Sequence, residues 1–220
     1  MQTHLCHLLR SQAPVVLPAI SALWLAIGVG IIGVLTPDYS HISQFMSALG
    51  ATGAPYAAWV NYAVFIPAEI WFLAFLFSLR SHLYNTQTTR FSLMCLCAYA
   101  VLLIAAALFP CDAGCQSAIS DETGANTLSH IIHMLVAAAA YPLALIGLLS
   151  LCLSVRGKFA LRLFAVPAAT VGFGLFFAIP VFHDAQGLLQ RVLEAWIYLQ
   201  FVLVGWHVAA NRPHSIQRTA

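Results

Sequence analysis

The sequence predicts an all-α polytopic membrane fold of six transmembrane helices, and three observations carry the prediction. First, only 7% of the 220 residues are charged and 61% are hydrophobic, with a mean hydropathy of +0.88. Soluble domains carry about 25% charged residues, so this chain cannot clothe itself in a water-compatible surface. Second, six apolar runs lie near 14–36, 56–79, 91–110, 129–154, 159–182 and 187–210. Each approaches the ~20 residues that a helix needs to cross a ~30 Å hydrocarbon core, and lipid offers an unpaired backbone nothing, so the runs must be helical. Third, of 9 Lys and Arg residues, Arg10, Arg80, Arg90, Arg156, Lys158, Arg162, Arg212 and Arg218 fall at alternate ends of the runs, leaving Arg191 alone on the other side. Basic residues gather on the cytoplasmic face. Both termini are therefore expected inside, with residues 1–220 forming one domain of a bacterial-type inner (plasma) membrane. The first run is too long for a signal-peptide core and reads as a retained anchor.

Taken in chain order, the first outer connection is "PDYSHISQFMSALG" (37–50). Ile42, Phe45, Met46 and Leu49 share one helical face of about 100°. Ser40, Ser43, Gln44 and Ser47 lie opposite, with His41 at the border. A short amphipathic helix over 40–50 at the outer interface is expected, placed to gate a pocket. The second run carries Asn61 and Glu69 on roughly one face; Glu69 sits at mid-depth with no evident cation, so it is expected neutral or hydrogen-bonded within the bundle. Pro67, Pro142, Pro167 and Pro180 interrupt runs, and neighbouring helices can satisfy the backbone groups they free.

The third run closes on "FPCDAGCQ". Cys111 and Cys115 face an oxidising compartment, so a disulfide pinning the loop is expected. The rival is a redox pair, although the spacing is C-x3-C rather than C-x2-C. Asp112 between them is a ligand, a base or a plain loop acid. Cys95, Cys97 and Cys152 are embedded and read as packing. The fourth run opens "SHIIHMLVAAAAY", which puts His130 and His133 on one face a turn deep and lets a neighbour approach the alanines. The sixth opens "GLLQRVLEAW", where Gln190, Arg191 and Glu194 form a polar stripe. Arg191 and Glu194 are expected to pair there, since lipid exposure of either is costly. Asp38, Asp112, Asp121, Glu122 and Asp184 lie in the outer connections, together with His41, His130, His133 and His183.

Several chemistries are excluded. The chain has no phosphate-binding Gly loop, no H-E-x-x-H and no G-x-S-x-G. Its few basic residues serve orientation, so no nucleic-acid partner is expected. A haem held between His133 and His207 fails because the two lie at opposite depths. A metal-assisted membrane hydrolase survives. Zinc takes nitrogen and carboxylate ligands and keeps an open position for activated water. His130, His133 and His183 are the candidate ligands, with His41 the alternative third. Ser47, Asp112, Arg191 and Glu194 are the candidate catalytic groups; His41, Asn61, Glu69 and Gln190 are candidate ligand-binding groups. The leading expectation is an outward-facing polar pocket, opening to the periplasm or outside, that binds and hydrolyses a membrane lipid or small amphiphile. Two rivals stand beside it: a non-enzymatic carrier or structural protein, and a quinone-linked thiol oxidoreductase at Cys111 and Cys115.

The segments "YSHISQFMSALG", "NYAVF", "FPCD", "HMLVAAAAY" and "GLLQRV" occur in order at the matching helix ends. In this the chain resembles the bacterial six-helix membrane proteins grouped as domain of unknown function 998. The resemblance implies six helices and marks Ser47, Gly50, Asn61, Asp112, His133, Gln190 and Arg191 as family-type polar positions; it implies no activity. A looser analogy is to the seven-helix membrane hydrolases of the alkaline ceramidase and progestin-receptor type, which place Ser, Asp and three His around zinc.

Overall fold

Residues 2–115, 126–154 and 159–210 are described by a computed structural model, with side chains from residue 12 onward except 159–162, and no strand occurs among them. Asp121, Glu122, Arg156, Lys158, Arg212 and Arg218 lie outside the described residues, as do the side chains of Arg10 and Arg162. The helices run α1 Gln2–Leu35, α2 Ala57–Arg80, α3 Gln87–Leu108, α4 Leu128–Ser154, α5 Phe159–Ala178 and α6 Gln186–Ala210. Five stretches are long and apolar enough to cross a membrane: Gln12–Leu35, Ala57–Arg80, Gln87–Leu108, Leu128–Ser154 and His183–Ala210. The fifth helix contributes a shorter apolar stretch, Leu163–Ala178. Leu23, Ile27, Ile31 and Val34 of α1 and Phe77 of α2 point outward and exposed, as a helix requires when its solvent is hydrocarbon.

Helix ends follow local chemistry. Helix α3 starts at Gln87, earlier than the apolar run at 91, because Thr86 caps it: its hydroxyl accepts from the Thr89 amide at 3.1 Å, a bond of about 1 kcal/mol. Helix α5 stops at Ala178 rather than 182. Ile179 precedes Pro180, and the proline ring disfavours helical dihedrals in the residue before it. Within α2, residues Val60–Phe65 form a wide π turn just ahead of Pro67. Proline has no N–H for the carbonyl four residues back, and that carbonyl, of Ala63, is taken by the Trp24 indole of α1 at 2.9 Å.

The expected amphipathic helix over 40–50 is a turn followed by a 3-10 helix, Met46–Gly50. Its polar residues compete for the backbone. Ser40 Oγ accepts from the amides of Ile42 and Ser43 (3.3 and 3.2 Å), and the Ser40 amide donates to Gln44 Oε1 at 2.8 Å. The apolar side chains also split: Met46 and Leu49 enter the core while Ile42 stays exposed.

That core is aromatic at its centre. Phe72 packs on Phe201 with centroids 4.4 Å apart and meets Tyr99 edge-on at 5.5 Å, which joins α2, α3 and α6. Helix α3 makes its most extensive contact with α4, and α1 packs on both α2 and α6. The α1–α6 crossing is close at Gly205: a Cβ there would sit 1.8 Å from the Pro14 carbonyl oxygen. Backbone cannot yield as a side chain can, so Gly205→Ala is expected to push the helices apart and lower stability by about 1–3 kcal/mol. Thermal unfolding in detergent reads this as a lower midpoint; an unchanged midpoint would mean that α1 and α6 do not meet there.

Candidate functional site

The first loop, between α1 and α2, bridges the ends of the bundle, and its unpaired carbonyls must find donors. Arg191, one turn into α6, supplies them. Its Nη1 donates to the carbonyls of His41 (2.8 Å), Gln44 (3.1 Å) and Gly187 (2.8 Å), while Nη2 donates to the Tyr39 hydroxyl. The Leu188 amide donates to the Ile42 carbonyl at 2.9 Å. Such close seating requires glycine at 187, where a Cβ would lie 2.1 Å from the Gln44 oxygen. Asn61 anchors the far end of the loop by donating to the Gly50 carbonyl at 2.8 Å.

Arg191 and Glu194 therefore do not pair as the stripe suggested. Among the described residues His130 Nδ1 lies 4.0 Å from Asp112 Oδ2, but that nitrogen accepts the Asp112 amide hydrogen and so makes no ion pair through it. The reason is directional: the long Arg191 side chain reaches up to the loop carbonyls, while the shorter Glu194 turns into the bundle. There Glu194 Oε1 accepts from the Tyr141 hydroxyl (3.0 Å) and Oε2 from Tyr99 (3.2 Å). Gln190 ties this pair to the loop, since its Nε2 donates to the Tyr141 oxygen (3.2 Å) and its Oε1 accepts the Met46 amide (2.8 Å). A continuous chain of hydrogen bonds thus runs from loop backbone to buried carboxylate.

Glu69 completes the centre. It is 4% exposed and Glu194 is 6% exposed. Glu69 lies within electrostatic range of Glu194, Tyr99, Tyr141 and Tyr198, yet its Oε2 has no hydrogen-bond partner. Beside it the Ser21 hydroxyl donates to the Ala68 carbonyl (2.7 Å) and meets the Tyr198 hydroxyl at 2.9 Å.

A second cluster forms where α3 ends. Cys111 and Cys115 are joined in a disulfide with Cα atoms 5.2 Å apart, within the ~7 Å reach of such a bond. Both are buried against Ala51 and Ala48. Ser47 Oγ lies 3.1 Å from Cys115 Sγ, and the Thr52 amide donates to the Cys111 carbonyl at 2.8 Å. A His133 ring nitrogen lies within 4.8 Å of both sulfurs. His133 Nδ1 contacts the carbonyls of Ala106 (2.8 Å) and Phe109 (3.1 Å), so it caps the end of α3. His130 Nδ1 accepts from the Asp112 amide at 3.1 Å, and its Nε2 is buried without a partner. Asp112 is fully engaged: its carboxylate accepts from the amide (3.0 Å) and hydroxyl (2.7 Å) of Thr127, the residue that caps α4.

The predicted site residues thus fall into separate groups. Glu69, Gln190, Arg191 and Glu194 converge beneath the loop, with Asn61 bracing it. Ser47, Asp112, His130, His133 and the disulfide form the neighbouring cluster. His183 sits exposed in a 3-10 turn, His183–Ala185. Among the described residues, the His/Cys/acid side chains that converge are Cys111, Cys115 and His133, not the three histidines, and the two sulfurs are joined in the disulfide and offer no thiolate to a metal. The His41 ring packs over Gly33 and edge-on to Tyr39 at 5.1 Å. Burial, and then the charge of Arg191, hold its imidazole below the ordinary value, so it is neutral at pH 7. Burial pushes the Tyr39 phenol up, against the opposing pull of Arg191. Sequence reasoning missed Ser21, Tyr39, Tyr99 and Tyr198. The available signal was depth: interfacial tyrosines favour helix ends, whereas Tyr99 and Tyr198 stand mid-helix.

A family profile described as "Protein of unknown function (DUF998)" matches residues 19–207. No curated protein and no solved structure matches the chain.

Replacing Arg191 by Met removes the donor to three carbonyls, and bonds to a charged group contribute about 1.5–3 kcal/mol each. The Leu188 amide is expected to exchange with deuterium much faster in that variant; protection equal to wild type would remove Arg191 as the clamp. Thr127 hydroxyl and amide donation, in that order, hold the Asp112 carboxyl below its ordinary value. A depressed folded value means that this tether is fully present above the ordinary carboxylate pKa of about 4 and is lost as pH falls through the folded value. Protection of the Thr127 amide should therefore fall only in acid below about pH 4.

Proposed function

This chain belongs to the DUF998 family of proteins of unknown function, and from its geometry we propose a proton-coupled membrane carrier of a small amphiphile. In this reading six helices span a bacterial inner membrane with both termini inside, and the first loop forms an outward lid. The carrying observation is the pair of buried carboxylates, Glu69 and Glu194, in a tyrosine-lined centre without a cation partner among the described residues. Ionisable groups at that depth are costly and mark ion or proton pathways by default.

The coupling follows from donor and acceptor counts. Ionised Glu194 accepts from both Tyr141 and Tyr99. A proton arriving on Oε1 makes that oxygen a donor toward the Tyr141 hydroxyl. The Tyr141 oxygen already accepts from Gln190 Nε2, so the new donor weakens the bond that holds Gln190, and with it the Met46 amide on Gln190 Oε1. The lid is loosened from inside the bundle, and Glu69 supplies a second, weakly satisfied station for the proton. Hydrolysis is less well supported, because Ser47 faces a sulfur and Asp112 is held by Thr127.

Proteoliposomes with a trapped pH-sensitive dye test the proposal. With hexyltrimethylammonium outside as the probe amphiphile and an inside-negative potassium-diffusion potential imposed, wild-type vesicles should acidify, and E69Q and E194Q should each slow this by about 100-fold, the lower end of what a positioned proton-transfer group contributes. Acidification equal to that of empty liposomes, or unaffected by either substitution, would sink the carrier. A second reading is thiol–disulfide exchange, favoured by the His133 nitrogen beside both sulfurs. A quinol would supply two electrons and two protons to yield two thiols and a quinone. Thiol titration after incubation with a short-chain quinol decides it: two new thiols support exchange, and none makes the disulfide structural.

A further inference from the structure

A cavity of about 740 Å³ opens between α2 and α3 at the end of the bundle opposite the first loop. Its walls are apolar, built from Leu73, Leu76 and Phe77 on one side and Leu93 and Met94 on the other, with Cys97 at its depth. Its rim carries two arginines, Arg80 from the last turn of α2 and Arg90 from the first turn of α3, and among the described residues no carboxylate lines it. Leu73 precedes Arg80, and Cys97 follows Arg90, by seven residues. At 1.5 Å per residue, the apolar cleft continues ~10 Å below the charged rim.

The rim is arranged to receive an anion. Arg90 Nε donates to Asn85 Oδ1 at 2.7 Å, which holds the guanidinium in place and leaves its terminal nitrogens for another acceptor. The Arg80 guanidinium makes no hydrogen bond or ion pair with a described residue. Two guanidiniums facing one mouth suit phosphate oxygens, whose geometry the planar fork matches. The depth excludes a free anion as the natural occupant, because inorganic phosphate would leave the apolar walls unfilled. A phospholipid satisfies both halves: phosphate at the rim and acyl chain against Leu73, Phe77, Leu93 and Met94. We propose that the α2–α3 cleft is a specific binding site for an anionic phospholipid, its headgroup held between Arg80 and Arg90. Net charge on the head matters, since a zwitterionic choline would bring a cation to a rim that already carries two. The site is independent of the Glu69–Glu194 centre and stands whether or not that centre carries protons.

The full-length protein in nanodiscs of phosphatidylcholine doped with phosphatidylglycerol, read by native mass spectrometry, tests the assignment. Wild type should retain phosphatidylglycerol over phosphatidylcholine on release from the disc. R80Q/R90Q should weaken that preference by about 30-fold, the product of two basic residues each contributing about fivefold at a membrane surface. M94W, which fills the cleft and leaves the rim charges in place, should reduce retention of both lipids. Thermal unfolding in pure phosphatidylcholine discs should be unchanged for R80Q/R90Q, which separates lost binding from lost folding. Equal retention of the two lipids by wild type, or a preference unaffected by R80Q/R90Q, overturns the site. So does displacement of the lipid by inorganic phosphate alone, because the apolar cleft would then contribute nothing.

Discussion

The Arg191 guanidinium on the carbonyls of the first loop is the contact on which that end of the bundle depends. Residues 37–50 are not regular helix for most of their length, so their backbone groups need partners from elsewhere. One cation meets two of those carbonyls, the Gly187 carbonyl of its own helix and the Tyr39 hydroxyl, and Gly187 lets the two backbones touch. A lysine could hold one or two of these groups but lacks the fork that spans them. The arginine is thus committed to the loop and is unavailable to any carboxylate.

That commitment explains the centre below. With Arg191 drawn to the loop, Glu194 pairs with no cation among the described residues and depends on the hydroxyls of Tyr99 and Tyr141. Neutral donors satisfy a carboxylate's lone pairs without cancelling its charge, which leaves its protonation open to change in a way a salt bridge would not. Gln190 then makes the loop and the acid one network, since its two amide ends face the Met46 amide and the Tyr141 oxygen. The neighbouring disulfide works in the opposite sense. By locking the turn after α3 against Ala48 and Ala51, it fixes the side of the loop that Arg191 does not reach. The two ends of the bundle are chemically unlike: a polar cap of many hydrogen bonds at the first loop, and at the other an open apolar cleft rimmed by Arg80 and Arg90.

Hydropathy alone determined that this is an all-helical membrane-like chain, because the cost of exposing backbone and charge to lipid is a local sum that each run carries in its own residues. Residue types also singled out Glu69, Gln190, Arg191 and Glu194 as polar groups within apolar runs and led to an expected Cys111–Cys115 disulfide, which the structure contains. Partner choice was decided only by the tertiary structure. Arg191 finds carbonyls about 150 positions away in sequence, and Glu194 finds tyrosines on two other helices, distances that no periodicity encodes. The helix expected over 40–50 failed for the same reason: a wheel projection ranks faces, but Ser40 and Gln44 took the local backbone while α6 offered the rest a better set of donors. Sequence fixes what each side chain can donate or accept; only the packed bundle, by setting which groups lie within 3 Å or so of one another, selects the bonds that form.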